Sequence, residues 1–166
     1  SGRRGLDRNS TTPARDALGA TDDPQATLVR LWILQDAVDA AAVTRALGEA
    51  SETLFNKGLL ARDGEDVRAT AVIRPYGVDA VTTSETATTT HAWICHDPLP
   101  NLDGRSDPPA PDHVLGVSPA STTLAQMTIR RPVATALDLG TGCGVQSLHL
   151  ARHAGRVVAT DLNPRA

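Results

Sequence analysis

The feature that most constrains the fold is a glycine-rich turn between two apolar segments near the C-terminus. Residues 134–139 read ATALDL, residues 140–144 read GTGCG, and a second apolar segment, residues 156–160, ends at Asp161. The residues between the turn and the second segment have apolar side chains at helical spacing. Strand, loop, helix and strand in this order are typical of an α/β nucleotide-binding fold.

The turn and the acid that follows it indicate how a ligand would be bound. Gly140, Gly142 and Gly144 allow the backbone to turn sharply and allow a ligand to approach it closely, because they lack a Cβ atom. Asp161 follows the first glycine by about 20 residues, where such folds place an acid on the ribose hydroxyls of an adenosine. The strand at 134–139 has almost no polar alternation, so we expect it to be parallel and buried on both faces.

Two ligand classes share this layout, and details of the motif separate them. The dinucleotide fingerprint G-x-G-x-x-G needs its third glycine at Val145, whereas here that glycine comes one residue early, at Gly144. An acid at Asp138, two residues before the turn, would repel a pyrophosphate. It suits a ligand that carries a cation.

The motif D-L-G-T-G-C-G at 138–144 resembles the first motif of class I S-adenosylmethionine-dependent methyltransferases. Segments 113–125 and 158–163 resemble the methyltransferase small domain of the HemK-like branch. Segments 23–34 and 72–77 resemble the N-terminal domain of actinobacterial members of that group. The resemblance implies S-adenosyl-L-methionine as cofactor and methylation of a planar nitrogen in a protein glutamine or an RNA base.

The resemblance also implies roles for individual residues. The cofactor turn would comprise Gly140, Thr141, Gly142 and Gly144. Asp138 would help to hold the methionine ammonium directly or through water, Asp161 would take the ribose hydroxyls, and Leu162 would lie against the adenine. It implies no catalytic residue in this chain, because the acceptor-binding motif of the HemK-like group follows the fourth strand. We therefore expect the segment up to Ala166 to be part of a longer protein and to be inactive by itself.

The residue pattern of the N-terminal half predicts three short helices and a hairpin. Asp22 or Asp23 is a candidate N-cap with Pro24 in the first helical turn. Two further helices are predicted at residues 39–47 and 51–57. Segments 59–62 and 67–73 flank a D-G-E-D turn and predict a two-stranded wing. This order predicts a winged-helix-like α+β domain followed by the start of a Rossmann-like methyltransferase domain.

A winged helix raises the question of DNA binding. The third helix carries Glu52, Asn56 and Lys57, which are too few base-reading and phosphate-binding side chains for a major-groove reader. The sequence therefore disfavours DNA binding and favours a role in substrate docking or packing. Two alternatives stay open: an NAD(P)-binding oxidoreductase, and a winged-helix regulator that senses a nucleotide without catalysis.

The patterns divide the chain into four predicted regions. They are a mobile arm at 1–20, the winged-helix-like domain at 21–77, a β and loop linker at 78–111 that is Pro-rich at its end, and the first part of the cofactor-binding domain at 112–166. Residues 122–130 predict a short helix before the first strand, with Ser121 or Thr122 as its cap. Thr122 and Thr123 are alternatively candidate contacts of the cofactor's methionine end.

Composition limits the partners, the metal content and the cellular compartment that we expect for the protein. A net charge of -3 argues against a general nucleic-acid coat but leaves a local RNA site open. The sequence has no apolar run of membrane length, and its two cysteines are far apart. His91, Cys95 and His96 lack the further ligands that a metal site needs. We expect a cytoplasmic enzyme without a metal or a membrane anchor, acting on protein or RNA, and the oligomeric state stays open.

Overall fold

The computed structural model describes residues 10–21, 23–79, 89–100, 102–104 and 108–166. Two compact units divide the chain: Ser1–Val72 with Asp97–Ala110, and Ile73–His96 with Pro111–Ala166. Helices and small sheets occur in both, so the protein is of the mixed α/β class. Among the helices in the described ranges, none combines the length and the apolar character that crossing a membrane requires.

The two units follow different boundaries from the predicted domain ranges. Residues 73–96 group with the glycine-turn region, although most of them were predicted to be linker, and residues 97–110 group with the first unit. The reason is that the strands within 73–96 pair with each other into a sheet, whereas the Pro-rich stretch after them joins no described sheet. The predicted loop or edge strand at 81–88 lies outside the described residues.

Helix α1, Thr12–Leu18, shows that the prediction of a mobile arm over residues 1–20 is wrong for residues 12–18. The backbone N–H of Thr11 donates to Oδ1 of Asp103 at 2.6 Å, and the Thr11 hydroxyl donates to Oδ2. Arg15 forms ion pairs with Asp103, at 3.1 Å, and with Asp36. These partners are distant in sequence, so a local pattern does not reveal them. Residues 1–9 lie outside the described residues.

The other helices of the first unit begin after aspartate caps or short turns. They are α2, Pro24–Leu28, which continues as a π-helical turn at Val29–Ile33, then α3, Ala40–Leu47, and α4, Ala50–Asn56. The Asp23 carboxylate accepts a hydrogen bond from the N–H of Ala26 at 3.2 Å, and Asp39 accepts one from Ala42 at 2.9 Å. Each cap satisfies an N–H group that has no partner within its helix. The predicted cap at Asp23 is confirmed, and the alternative, Asp22, lies outside the described residues.

The sheet of the first unit has three antiparallel strands. They are β1, Val38–Asp39, β2, Leu60–Asp63, and β3, Asp66–Ala69. Strand β3 lies between the other two. Asp63 pairs with Asp66 across a two-residue turn in which Gly64 has a φ of 67°. The predicted hairpin is confirmed, but residues 72–73 belong to the next strand and not to the hairpin.

One apolar cluster forms the core of the first unit. Its buried members are Leu31, Val38, Ala42, Val43, Leu60 and Val67. Leu31 and Val67 have no exposed surface. Because the π-helical turn, α3 and all three strands contribute side chains, the core joins these elements into one unit.

The described residues of the second unit form two strand pairs and two helices. Its elements are β4, Val72–Asp79, which begins at the unit boundary, β5, Thr89–His96, α5, Pro119–Met127, β6, Val133–Leu139, α6, Val145–Leu150, and β7, Ala154–Thr160. Strand β4 pairs with β5, and β6 pairs in parallel with β7. The predicted strand at 91–95 and the predicted strand, helix and parallel strand around the glycine turn are confirmed.

Strand β6 is not buried on both faces, contrary to the prediction. Leu137 and Leu139 are 57% and 75% exposed, and Val158, which pairs with Leu137, is also exposed. Alternate residues of a strand point to opposite faces, and paired residues share a face, so these three side chains lie together. Asp138 points to the other face, where Ser147 of α6 contacts it. The pair of strands therefore has helical cover on the α6 face, while the leucine face stays open in the described residues.

Leu31 provides a test of the core of the first unit. We expect Leu31→Ala to lower the free energy of unfolding of this unit by about 2–5 kcal/mol, because it removes a fully buried side chain and leaves a cavity. Urea denaturation followed by circular dichroism measures the change. Leu99→Ala is the matched control, since Leu99 belongs to the same unit and is 40% exposed. Equal losses for both variants would contradict the position of Leu31 in the core.

Candidate functional site

The turn between β6 and α6 is built on three glycines with positive φ. Gly140, Gly142 and Gly144 have φ values of 71°, 52° and 76°, a region that other L residues rarely adopt. The N–H groups of Gly140 and Thr141 donate to the carbonyl of Thr160 at 2.8 and 3.0 Å. A Cβ atom on any of the three glycines would have no neighbouring atom within 4 Å. The turn is thus fixed to the end of β7 on one side and open on the other.

Asp161 meets this turn directly after β7 ends. Its Oδ2 accepts a hydrogen bond from the N–H of Gly142, and its Oδ1 accepts one from the N–H of Asn163, both at 2.8 Å. These bonds hold the pKa of the Asp161 carboxyl below its ordinary value, and the bond from Asn163 has the larger effect. The carboxylate is therefore ionised at neutral pH and can accept a further hydrogen bond from a ligand hydroxyl.

Asp138, the other predicted acid, is buried and only 6% exposed. Its Oδ2 accepts hydrogen bonds from the hydroxyls of Thr141, at 2.8 Å, and Ser147, at 2.7 Å. A buried carboxylate needs such donors to offset its lost hydration. Asp138 therefore joins the strand, the turn and the first residues of α6 to one another.

The turn and Asp161 line an open cavity of about 490 Å³ within the second unit. Small-molecule sites in proteins have about this volume. Of the predicted cofactor residues, Gly140, Thr141, Gly142 and Asp161 line the cavity, whereas Asp138, Gly144 and Leu162 do not. The Leu162 side chain is fully exposed to solvent. The structure thus brings four of the seven predicted residues to one cavity.

The facing part of the cavity comes from the segment before β6, of which the sequence predicted a helix only over residues 122–130. Its lining includes His113, Val114, Gly116, Ser118, Ser121 and Leu124. Gly116 is packed against the ring of the buried His96, since a Cβ atom there would lie 2.7 Å from the ring. This contact places residues 113–116 beside strand β5, and no local sequence pattern indicates it.

Two side-chain amides that sequence reasoning missed connect the parts of this cavity. Gln146 donates from Nε2 to the carbonyl of Ser121 at 2.7 Å. Asn163 donates from Nδ2 to the carbonyl of Asp112 at 2.7 Å. Gln146 and Asn163 both line the cavity. The signal for Gln146 was a polar residue two positions after Gly144, but its partner is 25 residues away and could not be inferred.

Helix α5 is capped by Ser118 and not by Ser121 or Thr122, which corrects the prediction. The Ser118 hydroxyl accepts from the N–H of Ser121 at 3.2 Å, and the Ser121 hydroxyl accepts from the N–H of Ser118 at 3.4 Å. This reciprocal pair is a capping box. The hydroxyls of Thr122 and Thr123 donate to carbonyls of the preceding helical turn, at 3.0 and 2.9 Å. Neither threonine lines the cavity.

His149 of α6 contacts Tyr76 of β4. The phenolic oxygen of Tyr76 lies 2.9 Å from Nε2 of His149, and the two rings meet edge to face at 5.8 Å. This pair anchors α6 to the β4–β5 sheet within the second unit. No group of three or more His, Cys, Asp and Glu side chains in the described part of the chain is arranged to hold a metal ion.

Asp161 gives a pH-dependent prediction. Its carboxyl should titrate below its ordinary pKa of 3.8, because the ionised form accepts the backbone hydrogen bonds. The stability that these bonds contribute is fully present above the ordinary pKa and is lost as the pH falls through the lowered value. A carbon-13 NMR titration of the Asp161 carboxyl measures this directly. A pKa at or above 3.8 would contradict the described contacts.

Comparison with known proteins identifies one region of the chain. A family model described as Domain of unknown function (DUF7059) matches residues 1–70. No curated protein matches the chain. The matched residues include the helices and the hairpin of the first unit, and they exclude the glycine turn and the cavity. The chain is thus similar to DUF7059 over residues 1–70, and the function of the second unit has to be argued from its own geometry.

Proposed function

We propose that the second unit binds S-adenosyl-L-methionine and that the protein is an S-adenosylmethionine-dependent methyltransferase acting on a planar nitrogen of a protein glutamine or an RNA base. One observation carries the proposal. At the carboxyl ends of two neighbouring parallel strands, the N–H of Gly142 and the carboxylate of Asp161 meet at 2.8 Å beside an open cavity. Parallel α/β sheets bind nucleotide ligands at such strand ends.

The residues present fit an adenosine ligand. Asp161 is ionised and lines the cavity, so its carboxylate can accept hydrogen bonds from both hydroxyls of a ribose. Gly140 and Gly142 have open space where a side chain would otherwise lie, so a ligand can contact the turn backbone. We propose that these three residues hold the ribose and the atoms next to it.

In this proposal Asp138 acts on the ligand indirectly. It is buried and does not line the cavity, and it holds the Thr141 hydroxyl at 2.8 Å. Its negative charge lies beneath a turn that is open to the ligand, which favours the ammonium of a methionine moiety through water or through the turn. A pyrophosphate in the same place would be repelled.

The alternative of an NAD(P)-binding oxidoreductase has weaker support. The third glycine of the dinucleotide fingerprint is replaced by Val145, which is 5% exposed and packs as the first residue of α6. Calorimetric titration of the chain with S-adenosylhomocysteine and with NAD decides between the two. Binding of NAD with no binding of S-adenosylhomocysteine would overturn the methyltransferase proposal.

Methyl transfer requires alignment more than acid or base chemistry from this chain. When bound, the cofactor would supply a methyl group on a sulfonium, and the neutral thioether S-adenosylhomocysteine would leave as the bond from sulfur to the methyl carbon breaks. The residues of the second unit would fix the cofactor's orientation through Asp161 and the turn. We assign no catalytic residue within this chain.

The first unit has the helix and hairpin order of a winged helix, and we propose for it a role in substrate docking or packing. Helix α4 carries Glu52 and a single lysine, Lys57, at its end, which is poor complementarity to DNA phosphates. The alternative of a nucleotide-sensing DNA regulator is tested by measuring DNA affinity at several salt concentrations. Salt-dependent binding of duplex DNA tighter than binding of bulk RNA would favour the regulator.

Asp161→Ala should weaken S-adenosylhomocysteine binding about tenfold, because the charge-assisted hydrogen bonds to the ribose are lost. Isothermal titration calorimetry measures the change. Asp16→Ala is the control, because Asp16 is an exposed acid on α1 and outside the second unit. Unchanged affinity in Asp161→Ala would remove Asp161 from the proposed site.

Gly142→Val should abolish S-adenosylhomocysteine binding, because a branched side chain resists a φ of 52° and would occupy the open side of the turn. Gly64→Val is the matched control. Gly64 has a φ of 67° with open space around its Cβ position, so it takes a comparable strain, but it lies in the hairpin of the first unit. Loss of binding in both variants would indicate general destabilisation, and normal binding in Gly142→Val would show that the turn is structural.

A further inference from the structure

The cavity of the second unit has two sides that come from different parts of the chain. One side is the glycine turn with Asp161, and the other is the segment at 111–127, which includes α5. Two hydrogen bonds with side-chain amide donors cross between these sides, one from Gln146 to the carbonyl of Ser121 and one from Asn163 to the carbonyl of Asp112. They lie at well-separated points of the segment, so together they fix its distance from the turn.

Gln146 has the stronger position of the two. It is the second residue of α6 and lines the cavity, and its 2.7 Å bond reaches the first turn of α5. The Ser121 carbonyl is a neutral acceptor, so the bond depends on an N–H donor of the right length. Asn163 is less suited to a test, because its side-chain oxygen also accepts a hydrogen bond from the N–H of Arg165 at 3.0 Å.

We propose that Gln146 is a positioning residue that holds α5 over the glycine turn and thereby sets the width of the cavity. The bond joins α6 on one side of the cavity to α5 on the other. Among the described contacts it is the one hydrogen bond that the Gln146 side chain makes. Without it, the segment is tied to the turn region by packing and, near its start, by the contacts of Asn163 and Arg165 with Asp112. The segment then opens more often, and the cavity loses its preformed shape.

Cys143 gives a measure of this opening that does not depend on any ligand. It lines the cavity and is half-buried, and the only other cysteine of the sequence is Cys95. In a Cys95→Ser background, an aromatic disulfide reagent reacts with Cys143 alone. The reaction rate then reports how often the cavity admits the reagent.

The test compares Gln146→Met with Gln126→Met in this background. Methionine keeps the length of the side chain but has no N–H donor, and Gln126 is exposed on α5 away from the cavity. We expect the Cys143 rate to rise about fivefold in Gln146→Met, the change in an opening equilibrium that follows the loss of one hydrogen bond, and to stay unchanged in Gln126→Met. Gln146→Ala should give a rise at least as large, and it replaces Gln146→Met if that variant loses its circular dichroism signal.

A rate that is equal in all variants overturns the proposal. The consequence for the ligand rests on the proposed function: the dissociation constant of S-adenosylhomocysteine should also rise about fivefold in Gln146→Met. If the unsubstituted chain binds no S-adenosylhomocysteine while the Cys143 rate still rises in Gln146→Met, the proposed function fails and the positioning role of Gln146 stands. If S-adenosylhomocysteine binds equally well to both and the rates agree, the positioning role fails and the proposed function stands.

Discussion

Parallel backbone pairing between β6 and β7 is the constraint on which the candidate site depends. The ladder runs from Val133 opposite Ala154 to Leu139 opposite Thr160, and the Thr160 carbonyl then accepts two N–H groups from the turn. A slip of one residue would turn the side chains of β7 to the opposite face and shift the strand end. Asp161 meets the N–H of Gly142 because this register ends both strands at the same level.

Asp138 and Asp161 carry the same carboxylate group but have different roles, because their surroundings differ. Asp138 is enclosed, and hydroxyl groups from the turn and from α6 satisfy it, so its carboxylate organises the protein. Asp161 is open to solvent, and backbone N–H groups orient it while leaving lone pairs outward. Asp138 stabilises the turn from its buried side, and Asp161 presents a negative charge at the surface of the turn.

Local features were predictable from the sequence, and contacts between distant segments were not. The Asp23 cap, the hairpin around Gly64 and the order of strand, turn, helix and strand follow from residue types that act over a few positions. Helix α1 was missed because its anchor is the distant Asp103, and the Gln146 bond was missed for the same reason. The burial of β6 was overestimated. An apolar strand pattern indicates that both faces favour burial, but it does not indicate which element of the chain covers each face.

The position of the hydrogen bonds around the turn determines where the chain can change in length. Thr141 and Ser147 converge on one carboxylate oxygen of Asp138, so an inserted residue between them would separate the two hydroxyls. By contrast, the connection after α6 contains the exposed Ala151 and Arg152 and can absorb an insertion at the surface. Related sequences should therefore keep the spacing from 138 to 147 constant while the connection between α6 and β7 grows or shrinks.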